Sequence, residues 1–174
     1  ALVPPLTSLL AFRLTSSRTP SILSGLLACF PIFYAPFLPA TDNYAIYMLL
    51  GISFFLLLSS LVESTTANQL PFTNYRSLST FFLLGLTSAL MTLARSDGLL
   101  WLGLSLLVAV WWAGRQLPNY QTAKLPNFIF HLSSFTLFIL LGYLLLISPW
   151  YARNLSAFDS LMAPGGSRAL WLTS

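Results

Sequence analysis

Charge is what this chain has least of. Its 174 residues include eight Lys or Arg, four Asp or Glu and one His, so that charged residues make up 7% of the whole, against roughly 25% in soluble domains. So few charges cannot cover a water-soluble globule. Cysteine is scarce as well: Cys29 stands alone in an apolar run, which excludes an internal disulfide framework and fits a small buried apolar residue. His131 has no Cys, Glu or second His at ligand spacing, and reads as a structural histidine near a helix end rather than a metal ligand. The sequence holds no nucleophile elbow, Walker loop, HExxH or Cys/His cluster, and so none of the catalytic patterns that those motifs carry. No acid or base interrupts the middle of an apolar run, as proton-coupled transporters and ion channels usually require. The net charge of +4 and pI near 9.6 do not indicate nucleic acid, because the cations are scattered singly and form no patch.

What is present in abundance is apolar surface. Hydrophobic residues are 56% of the chain and the mean hydropathy is +0.78, the composition of a polytopic helical membrane protein. A helix needs about 20 apolar residues to cross a bilayer. Tyr44–Val62 and Asn127–Ser148 satisfy this and Ser77–Ala94 nearly does. Gly98–Gly114 is shorter, with Trp101, Trp111 and Trp112 as anchors at the interfaces. Pro20–Phe37 carries Pro31 and Pro36 and predicts a bent or broken span. Ala1–Phe12 reads as the tail of a further span. The expected fold class is therefore all-α, a polytopic transmembrane helical bundle of about five spans plus the tail of a sixth, in one membrane domain covering 1–174. The ends read as those of an internal fragment, without a signal peptide.

Alternating the sides puts the loops at 13–19, 63–76 and 114–126 on one face of the membrane and those at 38–43, 95–98 and 149–174 on the other. The first set carries Arg13, Arg18, Arg76, Arg115 and Lys124 with Glu63; the second carries Arg95, Arg153 and Arg168 with all three aspartates, Asp42, Asp97 and Asp159. Lys and Arg favour cytoplasmic loops, so the second set is outer.

Three outer edges carry the polar chemistry. In Ala94-Arg95-Ser96-Asp97-Gly98, the permanently charged, planar fork of Arg95 suits phosphate oxygens. Gly98 permits a tight turn. Asp97 is equally suited to capping the next helix. In Thr41-Asp42-Asn43-Tyr44, Asp42 is either an N-cap or a carboxylate lining an outward site, able to hold a sugar hydroxyl or a divalent cation. In Pro149-Trp150-Tyr151-Ala152-Arg153-Asn154, the aromatics fit an interfacial belt and Arg153 falls at headgroup depth. Asn154-Leu155-Ser156 matches a glycosylation sequon, a weak signal so close to the membrane.

These three motifs, in this order, resemble the middle of a GT-C-type integral membrane glycosyltransferase, of the group that includes protein O-mannosyltransferases and aminoarabinose transferases of lipid A. Phe158-Asp159 and Pro164-Gly165-Gly166 resemble the loop that follows. The resemblance implies a partial GT-C fold in the plasma or inner membrane. It implies transfer of a sugar from a polyprenyl-phosphate donor to a lipid, glycan or protein acceptor on the outer face, with inversion and without a nucleotide sugar. Substrate-binding roles then fall to Asp42, Arg95, Asp97 and Arg153, with the two arginines toward the donor phosphate. The general base of such enzymes is an Asp in the first outer loop, which is expected upstream of Ala1. No catalytic residue and no metal ligand is assigned within 1–174, although a divalent cation fits the chemistry, and the fragment alone is expected to be inactive. Two other readings stay open on the residues themselves: a transporter or lipid flippase whose outer Arg/Asp pairs recognise headgroups, and a non-catalytic scaffold in which Asp42 and Asp97 only cap helices.

Overall fold

The computed structural model describes residues 2–30, 44–66, 75–95, 98–115 and 125–161. Its six helices are its only regular elements among those residues, and three of them are long and apolar enough to cross a membrane. The chain divides into two compact units, Ala1–Gln69 and Leu70–Ser174.

The first unit contains α1 (Val3–Thr15), α2 (Arg18–Ala28) and α3 (Tyr44–Thr66). Prolines open α1 at no cost, because first-turn amides have no acceptor within the helix. Ser16 ends it in the left-handed region at φ 52°, its N–H donating to the Phe12 carbonyl at 2.8 Å, the usual αL closure of a helix. With Ser17 extended, α2 starts at once and folds back on α1. Small residues make that contact close. The Ser21 hydroxyl donates to the Ser8 carbonyl at 2.8 Å, the two hydroxyls lie 3.0 Å apart, and a methyl on Gly25 would press on Ser8 and on the Pro4 carbonyl.

The loop expected at 13–19 is thus only a two-residue link. Arg13 belongs to the last turn of α1 and Arg18 opens α2, because a serine that accepts φ > 0 lets the chain reverse without a longer connection. Arg13 Nη1 approaches the Ser59 hydroxyl of α3 at 3.5 Å, so α1 and α3 run toward the same end of this unit, as alternating sides require. The expected span at Pro20–Phe37 is seen as helix from Arg18 to Ala28; residues 31–37 lie outside the described residues.

The second unit contains α4 (Tyr75–Ala94), α5 (Leu99–Arg115) and α6 (Leu125–Phe158). Parallel helices α4 and α6 meet through two glycines. A methyl on Gly85 would collide with the Ile139 carbonyl, and one on Gly142 with the Phe82 carbonyl. Lipid tails are as apolar as leucine, so helices in a bilayer gain little from simple apolar contact; the close backbone approach that small residues permit is what binds them. Around this crossing Phe81 stacks on Phe135 at 4.5 Å between ring centroids, and Ala89 packs with Tyr143 and Ile147. Antiparallel α5 is joined by a buried hydroxyl pair, Ser88 and Ser105, 3.0 Å apart, each also bonded to the carbonyl four residues before it. Both hydroxyls are thereby satisfied out of reach of water.

Candidate polar site at the end of the α4–α6 pair

The register set by the glycines fixes which residues share a level. Both helices rise ~1.5 Å per residue, so continuing the Gly85–Gly142 crossing upward brings the end of α4 at Arg95 level with Trp150–Arg153 of α6. Two of the residues expected to contact substrate therefore stand at one end of one helix pair. Gly142 touches α4, Leu146 packs on the Ala89–Tyr143–Ile147 cluster, and Arg153 continues their stripe seven residues beyond Leu146. Residues so spaced share a helix face. Arg153 accordingly belongs to the face turned toward α4, yet it is exposed because it stands at the level where α4 stops.

Backbone bonds hold the turn that presents Arg95. Its N–H donates to the Met91 carbonyl at 2.9 Å, and its own carbonyl accepts from the Gly98 N–H at 3.0 Å. Gly98 is buried directly against the Met91–Thr92 backbone, where no Cβ fits, so glycine is required here by close approach. The Arg95 side chain is half-buried. Asp42 and Asp97, the other two expected binding residues, lie outside the described residues. Among the described residues no three His, Cys, Asp or Glu side chains gather as a metal cluster.

Below the arginines the site has an aromatic floor. Tyr143 is buried, and its hydroxyl has no hydrogen bond of ordinary geometry; the Tyr151 hydroxyl is the polar group that faces it. Trp150 and Tyr151 lie 5.4 Å apart, centroid to centroid, and pack on the same cluster. At the opposite end of the unit Arg115 lies over the Trp111 ring at 4.2 Å, a cation–π contact. Aromatics thus mark both ends of the second unit, as interfacial belts do.

The helix continues beyond the expected end of the last span. Pro149 does not end α6, which runs through it to Phe158, and Arg153 sits on a helix rather than in a loop. The helix stops at Asp159, which has φ 50° and bonds back to the Leu155 carbonyl at 3.1 Å. The chain then folds over, so that Asn154 Nδ2 donates to the Leu161 carbonyl at 3.1 Å. Asn154 is 1% exposed, so in this fold its side chain serves to close the end of α6. Sequence reasoning had missed the structural role of Asn154, and missed Gly85 and Gly142. The available signal was small residues placed inside otherwise large-residue spans. Comparison with protein-family models, with curated proteins and with solved structures finds no match to this chain.

Proposed function

We propose that this chain is part of a membrane glycosyltransferase that uses a polyprenyl-phosphate sugar donor, in which Arg95 and Arg153 hold the donor phosphate. The observation that supports the reading is the level shared by the two arginines at the end of the α4–α6 pair, together with the order of the three motifs. A sugar phosphodiester carries one negative charge. When the acceptor oxygen attacks the anomeric carbon and the sugar–oxygen bond breaks, the leaving phosphate gains a second. Cations placed beside that oxygen stabilise the transition state more than the ground state. Arginine is suited to this because it cannot surrender its proton and can engage two phosphate oxygens at once. Asp42 and Asp97 take the sugar or acceptor hydroxyls in this reading, and the acceptor (lipid, glycan or protein) approaches from the outer face. The further spans of a GT-C bundle belong to the same proposal.

The test is binding of a fluorescent short-chain polyprenyl monophosphate, the leaving group itself, to the intact protein in nanodiscs. Arg95→Gln and Arg153→Gln should each weaken it about tenfold or more, since a charge-assisted hydrogen bond contributes about 1.5–3 kcal/mol. Arg115→Gln, at the other end of the unit, should leave it unchanged. Unaltered affinity in both outer variants would refute the phosphate role.

A further inference from the structure

Helix α6 is longer than a membrane is thick. Its 34 residues extend about 51 Å, against roughly 30 Å of hydrocarbon. The lower boundary falls near Trp111 and Arg115, because Trp112 packs on Phe81, which stacks on Phe135. The upper one falls near Arg95, Trp150 and Tyr151. About three turns from Pro149 onward therefore stand at or above the upper boundary. Those turns are not uniformly polar. Leu155 is 48% exposed, Phe158 45% and Leu161 54%, three large apolar side chains where a helix rising into water would carry polar ones.

The exposed side chains have a sided arrangement. Leu155 and Phe158, three residues apart, share a face with Tyr151, whereas Arg153 and Ser156 share another. Leu155 also prolongs the exposed stripe of Leu141, Leu144, Ser148 and Ala152, the stripe that meets lipid throughout the span. Pro149 supplies the freedom to turn. It has no N–H to give the Leu145 carbonyl, so the ladder is open where the helix leaves the hydrocarbon.

We infer that residues 149–161 are an interfacial foot: they bind the surface of the lipid bilayer, with Leu155, Phe158 and Leu161 in the boundary between headgroups and acyl chains. The occupant of this apolar face is lipid, because the face continues the lipid-facing stripe without a break and lies at headgroup height. Apolar side chains on one side and polar ones on the other are the pattern of helices that rest in the interface. The fold-back from Asn154 to the Leu161 carbonyl brings Leu161 to the same end as Phe158. This inference rests on the membrane setting of α6 and stands apart from the proposed transferase chemistry.

The experiment places an environment-sensitive fluorophore at Leu155→Cys, Phe158→Cys or Ser156→Cys in the full protein, with Cys29→Ser, reconstituted in phosphatidylcholine vesicles. All three sites are exposed, so the label need not disturb packing. Quenching by doxyl-labelled phosphatidylcholine should be at least about threefold stronger at 155 and 158 than at 156, with aqueous iodide showing the reverse order. Equal iodide quenching at all three sites would overturn the inference, since the foot would then stand in water. Protection of 155 and 158 from both quenchers would overturn it too, because protein, whether residues 162–174 or a partner, would cover the face instead of lipid.

Discussion

Two glycines decide how the second unit is held together. The Cα of Gly85 lies against the Ile139–Tyr143 backbone, and that of Gly142 against Phe82 and Leu86. A side chain at either position must push two main chains apart, and main chain yields less readily than a flexible side chain. Gly85→Leu or Gly142→Leu should therefore cost at least the 1–3 kcal/mol typical of overpacking, read as a lower thermal midpoint in nanodiscs. Gly103, with nothing near its missing Cβ, is the control: Gly103→Ala should match the parent or improve on it, because alanine is the better helix former by about 1 kcal/mol. The buried hydroxyl pair calls for a smaller number. Ser88→Ala should lose about 0.6 kcal/mol, the mean found for hydrogen bonds between membrane helices, because Ser105 keeps its bond to the Trp101 carbonyl. Equal losses for Ser88→Ala and Gly85→Leu would mean that polar bonding, rather than backbone approach, governs the pair. None of this is visible in hydropathy, where Gly85, Ser88 and Gly142 only dilute an apolar run.

At the scale of the element, hydropathy was a good guide to where helices lie and a poor guide to where they end. Tyr44–Val62 and Ser77–Ala94 fall within α3 and α4, since length and apolarity suffice to place such segments. Gly98 stands just before α5, as expected of a turn residue. The two differences of extent have separate causes. α1 runs to Thr15 because Ser16 closes it in the left-handed region, whereas α6 outlasts its proline because a helix continues while its neighbours still bury one of its faces. Trp150 and Tyr151 remain packed on the core cluster, and Asn154 is buried beyond them, so α6 persists past Pro149. The open ladder at that proline yields its own prediction. Pro149→Ala restores an N–H to the Leu145 carbonyl and should slow amide exchange at residues 150–153 by about tenfold or more, well within the ~3 kcal/mol that an interior proline costs a helix. Unchanged exchange would mean that the packing of Trp150 and Tyr151 alone sets the local stability. The candidate polar site was legible in part. Charges at the ends of apolar runs singled out Arg95 and Arg153 as candidates, but only the glycine register, a property of two helices together, sets them at one level.

For the molecule as a whole, the proposed membrane setting raises the question of which end of the second unit faces outward. Within the second unit the ends sort by chemistry. Arg115, Trp111 and the start of α6 share one end, while Arg95, Trp150 and Arg153 share the other. Arginine and lysine near the ends of spans are retained in the cytoplasm; Arg76 lies in the first turn of α4, Arg115 ends α5 and Lys124 directly precedes α6 in sequence. The Arg95–Arg153 end should then face outward, as the proposed transfer from a polyprenyl-phosphate donor to an outer acceptor requires. Charge alone makes this a narrow margin, because the outer end also carries arginines. Its aspartates add little, since acids contribute weakly to topology. Single cysteines at Gly114 and Ser156, both exposed, resolve the matter in intact cells treated with a membrane-impermeant maleimide. Ser156→Cys should react from outside and Gly114→Cys only after permeabilisation. The opposite pattern would invert the unit and put both arginines in the cytoplasm. A donor presented at the outer face would then be out of reach, and the transferase reading would fail even if Arg95 and Arg153 still bound phosphate. Reaction of both cysteines from one side would be more damaging still, because an odd number of crossings lies between them only if α6 spans the bilayer as its length and apolarity demand.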